Sequence, residues 1–209
     1  MIHLVYLGEG PRDKAVIPAI VKTLLNVPEG IPVKHEFAIW KDVRLNKPGL
    51  GSGFGRKLLF KIIEAYNSGA DGIIAVVDVD NSPKREKLGA LKTGRDKHRE
   101  KNPPFPTALA EANPHVEAWL LDDKTAVLKT LGLADTNQIP MVGKIDHPKN
   151  FLHDLVGKSD RRDDKEIDII QEIAVAIDLR RCHHTSDTGL RSLVDDMDAE
   201  IRPLIAKKS

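Results

Sequence analysis

The chain holds one cysteine, Cys182, so no internal disulfide can staple it. It has no apolar run approaching the roughly 20 residues that span a bilayer. The opening Met1-Ile2-His3-Leu4-Val5-Tyr6 lacks the basic stretch and apolar segment of a secretory leader. Charge of one sign is missing too: 32 Lys and Arg stand against 31 Asp and Glu. No global field therefore draws the whole molecule to nucleic acid or to a membrane, and any such attraction must be local. Internal repeats and low-complexity tracts are absent. Of the two tyrosines, Tyr6 lies inside an expected strand and Tyr66 on the apolar face of an expected helix, so neither is placed as a covalent nucleophile. These absences predict a cytoplasmic globular protein, most simply a prokaryotic one.

What is present centres on Ile73 to Asp80. A short apolar, β-branched run, entered through Ala70-Asp71-Gly72 and left through Asn81-Ser82-Pro83, reads as a strand buried on both faces. It ends in Asp78 and Asp80. Two like charges one residue apart repel unless a cation or a basic partner sits between them, so the strand exit asks for a metal.

The remaining segments supply a sheet around it. Ile2 to Leu7 is a buried-strand pattern, followed by the turn Gly8-Glu9-Gly10-Pro11 and a helix from Arg12 to Asn26 that Pro18 should kink or delay. Val33 to Trp40 reads as a second strand, polar enough to lie near an edge. Asn46 to Lys57 is glycine-rich and basic but lacks the spacing of a Walker A loop, and it opens a helix with Phe54, Leu58, Ile62 and Tyr66 in register.

Lys84 to Lys101 carries eight positive and three negative residues, a local charge of +5. Beside a carboxylate pair, Lys84, Arg85, Lys92, Arg95 and Arg99 are candidates for tracking a phosphate backbone. A fourth strand is expected over Thr107 to Ala112, then a helix from Asn113 to Leu121 with Pro114 in its first turn. A short helix follows over Lys124 to Gly132. The stretch from Ala134 to Asp164 is only weakly patterned. Helices are expected from Glu166 to Arg181 and around Leu190, Leu193, Met197 and Ile201. Strands alternating with helices predict an α/β fold, a mainly parallel sheet of about four strands flanked by helices, in one domain over 1–209. Its core spans about 1–123, with a helical C-terminal part over about 124–209.

A parallel sheet brings the exits of the first and third strands to one rim. There Glu9, Asp78 and Asp80 offer hard oxygens that suit Mg²⁺ or Mn²⁺. Such ions polarise a phosphoryl group and activate water, and a pair about 4 Å apart stabilises both attacking and leaving oxygens. Glu117 is a candidate ligand or orienting acceptor, and His115 opens the same helix near the site. Trp40 and Trp119 read as core anchors. Cys182-His183-His184 lacks the second pair of soft ligands that a structural zinc needs.

The Leu-Gly-Glu9-Gly-x-x-Asp turn and Val-Val-Asp78-Val-Asp80 resemble the two signature motifs of the Toprim superfamily, which includes topoisomerases, bacterial primases and OLD-family nucleases. The resemblance implies a Toprim-like, Rossmann-like fold, acid or base work for Glu9, and metal binding by Asp78 and Asp80. The segment Glu111 to Leu121, with Glu117 and Trp119, is similar to an element of small stand-alone prokaryotic Toprim-like proteins, the RloB and DUF4276 groups. Lys149 and Lys165 also fall where the latter group places basic residues. One departure stands out: the usual third acidic position is Ser82, which makes Glu117 the candidate for the remaining acid. The implied function is metal-dependent phosphodiester hydrolysis on DNA or RNA, as a defence or repair component with an ATPase as a partner protein. The alternatives are a non-catalytic nucleic-acid-binding subunit of a defence complex and a phosphotransfer enzyme on nucleotides, the latter motivated by the loop from Gly49 to Gly55.

Overall fold

The structure, a computed structural model, describes residues 1–28, 30–44, 53–80, 86–134 and 139–207. Four strands form one sheet in the order β2-β1-β3-β4, every pair parallel. They are β1 (Ile2–Gly8), β2 (Val33–Ile39), β3 (Gly72–Asp78) and β4 (Thr107–Ala112). The central pair β1 and β3 are buried on both faces, β1 throughout its length, with His3 among its buried residues, and β3 up to Asp78. β2 lies at an edge, in keeping with its polar pattern.

Helices α1 (Pro11–Leu25), α2 (Phe54–Asn67) and α3 (Glu86–Arg99) alternate with the strands, and α4 (Glu117–Asp122) follows β4. α1 runs unbroken through Pro18, so its regular part is not delayed; Pro11 occupies the first turn, where a missing N–H costs nothing. The buried stripe of α2 is Leu58, Ile62 and Ala65. Tyr66 falls off that stripe and is 50% exposed, lying against the rings of His98 and Phe105. The expected helix from Asn113 begins only at Glu117. Asn113 does not cap it: its amide donates to Thr188 O and its side chain to Asp187 O, which ties a non-helical turn, with a cis Asn113-Pro114 bond, to the C-terminal part.

That part consists of α5 (Lys124–Leu131), α6 (Pro148–Gly157), α7 (Glu166–Ala176), α8 (Thr185–Thr188), α9 (Leu190–Asp196) and α10 (Arg202–Ala206), with a wider turn of helix over Met197–Ile201. α6 lies in the weakly patterned stretch from Ala134 to Asp164. α7 ends five residues before the expected Arg181, where Arg181 and the Asp178 amide close on the buried Asp123 carboxylate. Two apolar clusters cover the sheet. One gathers α1, α4, α7 and the C-terminal helices around Tyr6 and Trp119; the other places α2 and α3 around Trp40. Both tryptophans are core anchors, each donating its ring N–H to a main-chain carbonyl, Trp40 to Val76 and Trp119 to Thr188. No helix among the described residues is long and apolar enough to cross a membrane.

Candidate metal centre

The carboxyl ends of β1 and β3 lie side by side, as their parallel pairing requires, so the turn after Gly8 and the exit at Asp78 share one rim. Glu9 leaves β1 in a turn that α1 closes from beneath. The Asp13 carboxylate, three residues into the helix, accepts the Glu9 amide, a reach-back of the capping-box kind. Gly8 is required for this. A Cβ there would meet Asp13 Cβ at 2.7 Å and the Phe37 ring at 2.8 Å.

Beyond β3 the chain turns at Asp80, whose φ of 47° is a left-handed conformation that Asp tolerates better than most residues. The turn brings Asp80 back over the strand end. Lys87, from the first turn of α3, donates to the Asp78 main-chain oxygen at 2.6 Å and to Asp80 Oδ2 at 2.8 Å. On the opposite side the turn after β4 delivers His115, with Nδ1 at 3.3 Å from Asp78 Oδ2 and 3.8 Å from Asp80 Oδ1. Ligand atoms of Asp78, Asp80 and His115 all lie within 4.8 Å of one another, a constellation that could hold a divalent cation.

Glu9, Asp13, Asp78, Asp80, His115 and Glu117 line a cavity of about 680 Å³, with Arg12, Lys149 and Glu166 on its walls. Three polar atoms of this set are buried without a partner in hydrogen-bond geometry: Glu9 Oε1, Asp78 Oδ1 and His115 Nδ1, the last meeting the two aspartates only as an ion pair. Buried polar atoms are nearly always paired, so three orphans from three separate segments at one cavity fit a ligand that these residues share. The charges agree. Burial, then the Asp78 carboxylate, pushes Glu9 above the ordinary carboxyl range. Burial likewise raises Asp78, against the pull of His115. Asp13 is pushed up to about 7 by burial and by Asp78. His115 is raised by its close pairing with Asp78. Burial, with the neighbouring carboxylates, makes these acids hold their protons more tightly than isolated ones, and a cation would oppose that shift.

The expected set of Glu9, Asp78 and Asp80 thus shares one cavity, but the tight group pairs the two aspartates with His115, and Glu9 stands beside it. Glu117 is nearly fully buried and already committed: Oε1 accepts from Arg12 Nη1 at 2.8 Å, while Arg12 Nη2 reaches Glu166 Oε1 at 2.7 Å. Lys149 lines the cavity; Lys165, just before α7, does not. Arg12 and Glu166 carried no sequence signal for this place. Asp13 did, as the last residue of the turn motif.

Part of the basic stretch is engaged in ion pairs within the chain. Lys84 and Arg85 lie outside the described residues, as do Ser82 and most of the glycine-rich loop. Arg95 pairs with Asp196 at 3.2 Å and Arg99 with Glu200 at 2.7 Å, so both arginines clamp the C-terminal helices against α3. Lys92 is exposed at a smaller cavity beside α9. Cys182 is free, and burial pushes its thiol up to about 12, away from nucleophilic use. The chain matches no protein-family model, no curated protein and no solved structure.

Proposed function

We propose that the chain is a divalent-metal-dependent phosphodiester hydrolase of Toprim-like type, acting on DNA or RNA. The observation that carries this reading is the set of three orphaned atoms, Glu9 Oε1, Asp78 Oδ1 and His115 Nδ1, at the rim of a parallel sheet. Asp78 and Asp80 would hold the ion through hard oxygens, with His115 as a third ligand. Carboxylates suit Mg²⁺ and Mn²⁺, and the imidazole tilts the set towards Mn²⁺. A bound cation would polarise a phosphoryl oxygen and make an attacking water more acidic near neutral pH.

The chain's own residues supply the rest. Glu9, whose raised pKa lets it keep a proton closer to neutrality than an ordinary glutamate, gives that proton to the leaving oxygen. Lys149 meets the phosphate charge from the cavity wall. Arg12, fixed between Glu117 and Glu166, positions those two carboxylates rather than the substrate. Six acids at the cavity against Arg12 and Lys149 would repel a polyanion, so cation binding must come first.

The test is cleavage of single- and double-stranded DNA and RNA with Mn²⁺ or Mg²⁺, alongside calorimetric titration of Mn²⁺. Asp78→Asn and Asp80→Asn should each abolish cleavage and weaken Mn²⁺ binding. No cleavage by wild type, together with unchanged metal affinity in both variants, would refute the proposal. Nucleic-acid binding retained by Asp78→Asn, with no cleavage by wild type, would assign a non-catalytic subunit instead. One observation favours a second reading. Arg95 and Arg99 are spent on Asp196 and Glu200, which leaves less basic surface for a long backbone and favours phosphotransfer or hydrolysis on a nucleotide-sized phosphate. Turnover of nucleotides but not of polymers would select it.

A further inference from the structure

The two edges of the sheet are treated in opposite ways. The β4 edge is covered: the Leu109 amide donates to Asp196 Oδ2 at 3.0 Å, Asn113 donates to Thr188 O, and α9 lies along the strand. The β2 edge is not. Ile2 donates to Pro32 O at 2.8 Å with Ile2 opposite Val33, so residues 32, 34, 36 and 38 carry the bonds to β1, and Val33, His35, Phe37 and Ile39 direct their main-chain groups outward. Among the described residues, none meets those outward groups. An uncovered strand edge is a template for another strand.

We propose that β2 pairs with β2 of a second copy of this chain, antiparallel about a twofold axis through His35, joining two four-stranded sheets into one. The strand's own sequence selects this register. With His35 opposite its copy, Lys34 faces the partner's Glu36 twice over, and Val33 faces the partner's Phe37. All the bonded pairs then fall on odd positions, the ones whose main-chain groups point outward. Shifting the axis to Glu36 also satisfies the hydrogen bonds, but it sets Glu36 against Glu36. The side chains of Lys34 and Glu36 are exposed and face away from α1, with His3 Nε2 at 3.3 Å from Glu36.

The other face of the strand agrees. An apolar groove of about 350 Å³ runs beside the edge, lined by Val21, Leu25, Val27, Ile31 and Val33 among others. In the proposed register the partner's Ile39 falls opposite Ile31, at this groove, and the partner's Phe37 beside Val33. His35 opposite His35 is tolerable, because its Nδ1 already meets the Tyr6 hydroxyl at 2.9 Å and burial, with Lys22 nearby, keeps the ring neutral at pH 7. The proposal is independent of the metal centre.

Sedimentation equilibrium of the full chain, at pH 7.5 and micromolar concentration, tests it. The expected species has twice the 23.1 kDa monomer mass. Lys34→Glu and Glu36→Lys each replace two attractions by two repulsions and should weaken the dimer about tenfold or more, whereas the double variant Lys34→Glu/Glu36→Lys should regain most of the wild-type affinity. Thermal melts confirm that the exposed substitutions leave the fold intact. A monomer at all concentrations would overturn the proposal, and that outcome would leave the edge to an extended segment of another protein. A dimer indifferent to both single variants, or not restored in the double variant, would overturn it equally.

Discussion

Arg12 and Glu117, 105 positions apart, meet at 2.8 Å inside the cavity, and the same guanidinium holds Glu166 of α7. One side chain therefore fastens the first turn of α1 to the helix after β4 and to the C-terminal part. Glu117 is 2% exposed, so its charge is tolerable only because Arg12 is there.

Arg12→Met should then destabilise the protein by about 2–3 kcal/mol, below the usual 3–5 for a fully buried pair because the Arg12 side chain retains some solvent. Arg12→Met combined with Glu117→Gln should recover most of the loss, since the buried Glu117 charge is gone and Glu166, partly exposed, keeps its contact with His153. Urea unfolding followed by circular dichroism measures both. Equal loss in the single and double variants would show that the pair's electrostatics do not matter.

Asp13 gives the fold a pH dependence whose sign can be worked out. Its folded pKa of about 7 lies above the unfolded carboxyl value, so the folded state binds the proton more tightly. This contribution is fully present below about pH 4 and is lost as pH rises towards 7. Asn cannot ionise yet still offers an oxygen to the Glu9 amide. In EDTA, Asp13→Asn should stabilise the fold at pH 8 by about 2–4 kcal/mol and have little effect at pH 4. Denaturant melts at the two pH values decide it, and a variant less stable at pH 8 would contradict the account.

The strands were legible because β1, β3 and β4 are short apolar runs bounded by turn residues, and β2 announced its edge through Lys34, His35 and Glu36. Asp78, Asp80 and Glu9 were legible because carboxylates at the exits of buried strands have no structural purpose of their own. His115 was visible only as the opening of a helix that starts two residues later, at Glu117. Its place beside Asp78 depends on Asn113 being bonded to α8, a contact more than 70 positions away that no local pattern encodes. The same reason hid the pairing of Arg95 and Arg99. A charge run reads alike whether it faces phosphate or Asp196 and Glu200, and only tertiary packing separates the two.

Gly189 shows how the C-terminal part registers on β4. Its φ of 83° suits glycine, and a Cβ there would run into the Glu111 carbonyl oxygen at the strand edge. Gly189→Ala should cost about 3 kcal/mol or more, combining left-handed backbone cost with overpacking. Hydrogen exchange should show the loss concentrated in α8 and α9 and at the Asn113 amide. Uniform loss across the sheet would mean that this contact is not what docks them.

Lys87 occupies the position that a cation would contest. Its ammonium bonds the Asp78 main-chain oxygen and Asp80 Oδ2, and its charge holds down the pKa of Glu9. A fixed positive charge this close repels a divalent ion while leaving Glu9 Oε1 and Asp78 Oδ1 unpartnered, so metal affinity is set by competition with Lys87. Lys87→Met should strengthen Mn²⁺ binding about tenfold, equivalent to about 1.4 kcal/mol, because the apolar replacement keeps the length of the side chain and removes the charge. The same loss of charge should raise Glu9 further, which moves the alkaline limb of activity, set by deprotonation of this general acid, to higher pH. Calorimetric titration of Mn²⁺ into wild type and Lys87→Met at low salt measures the first effect. Weaker binding in the variant would instead identify Lys87 as a strut that holds Asp80 in its left-handed turn, with the ordering of Asp80 outweighing the repulsion.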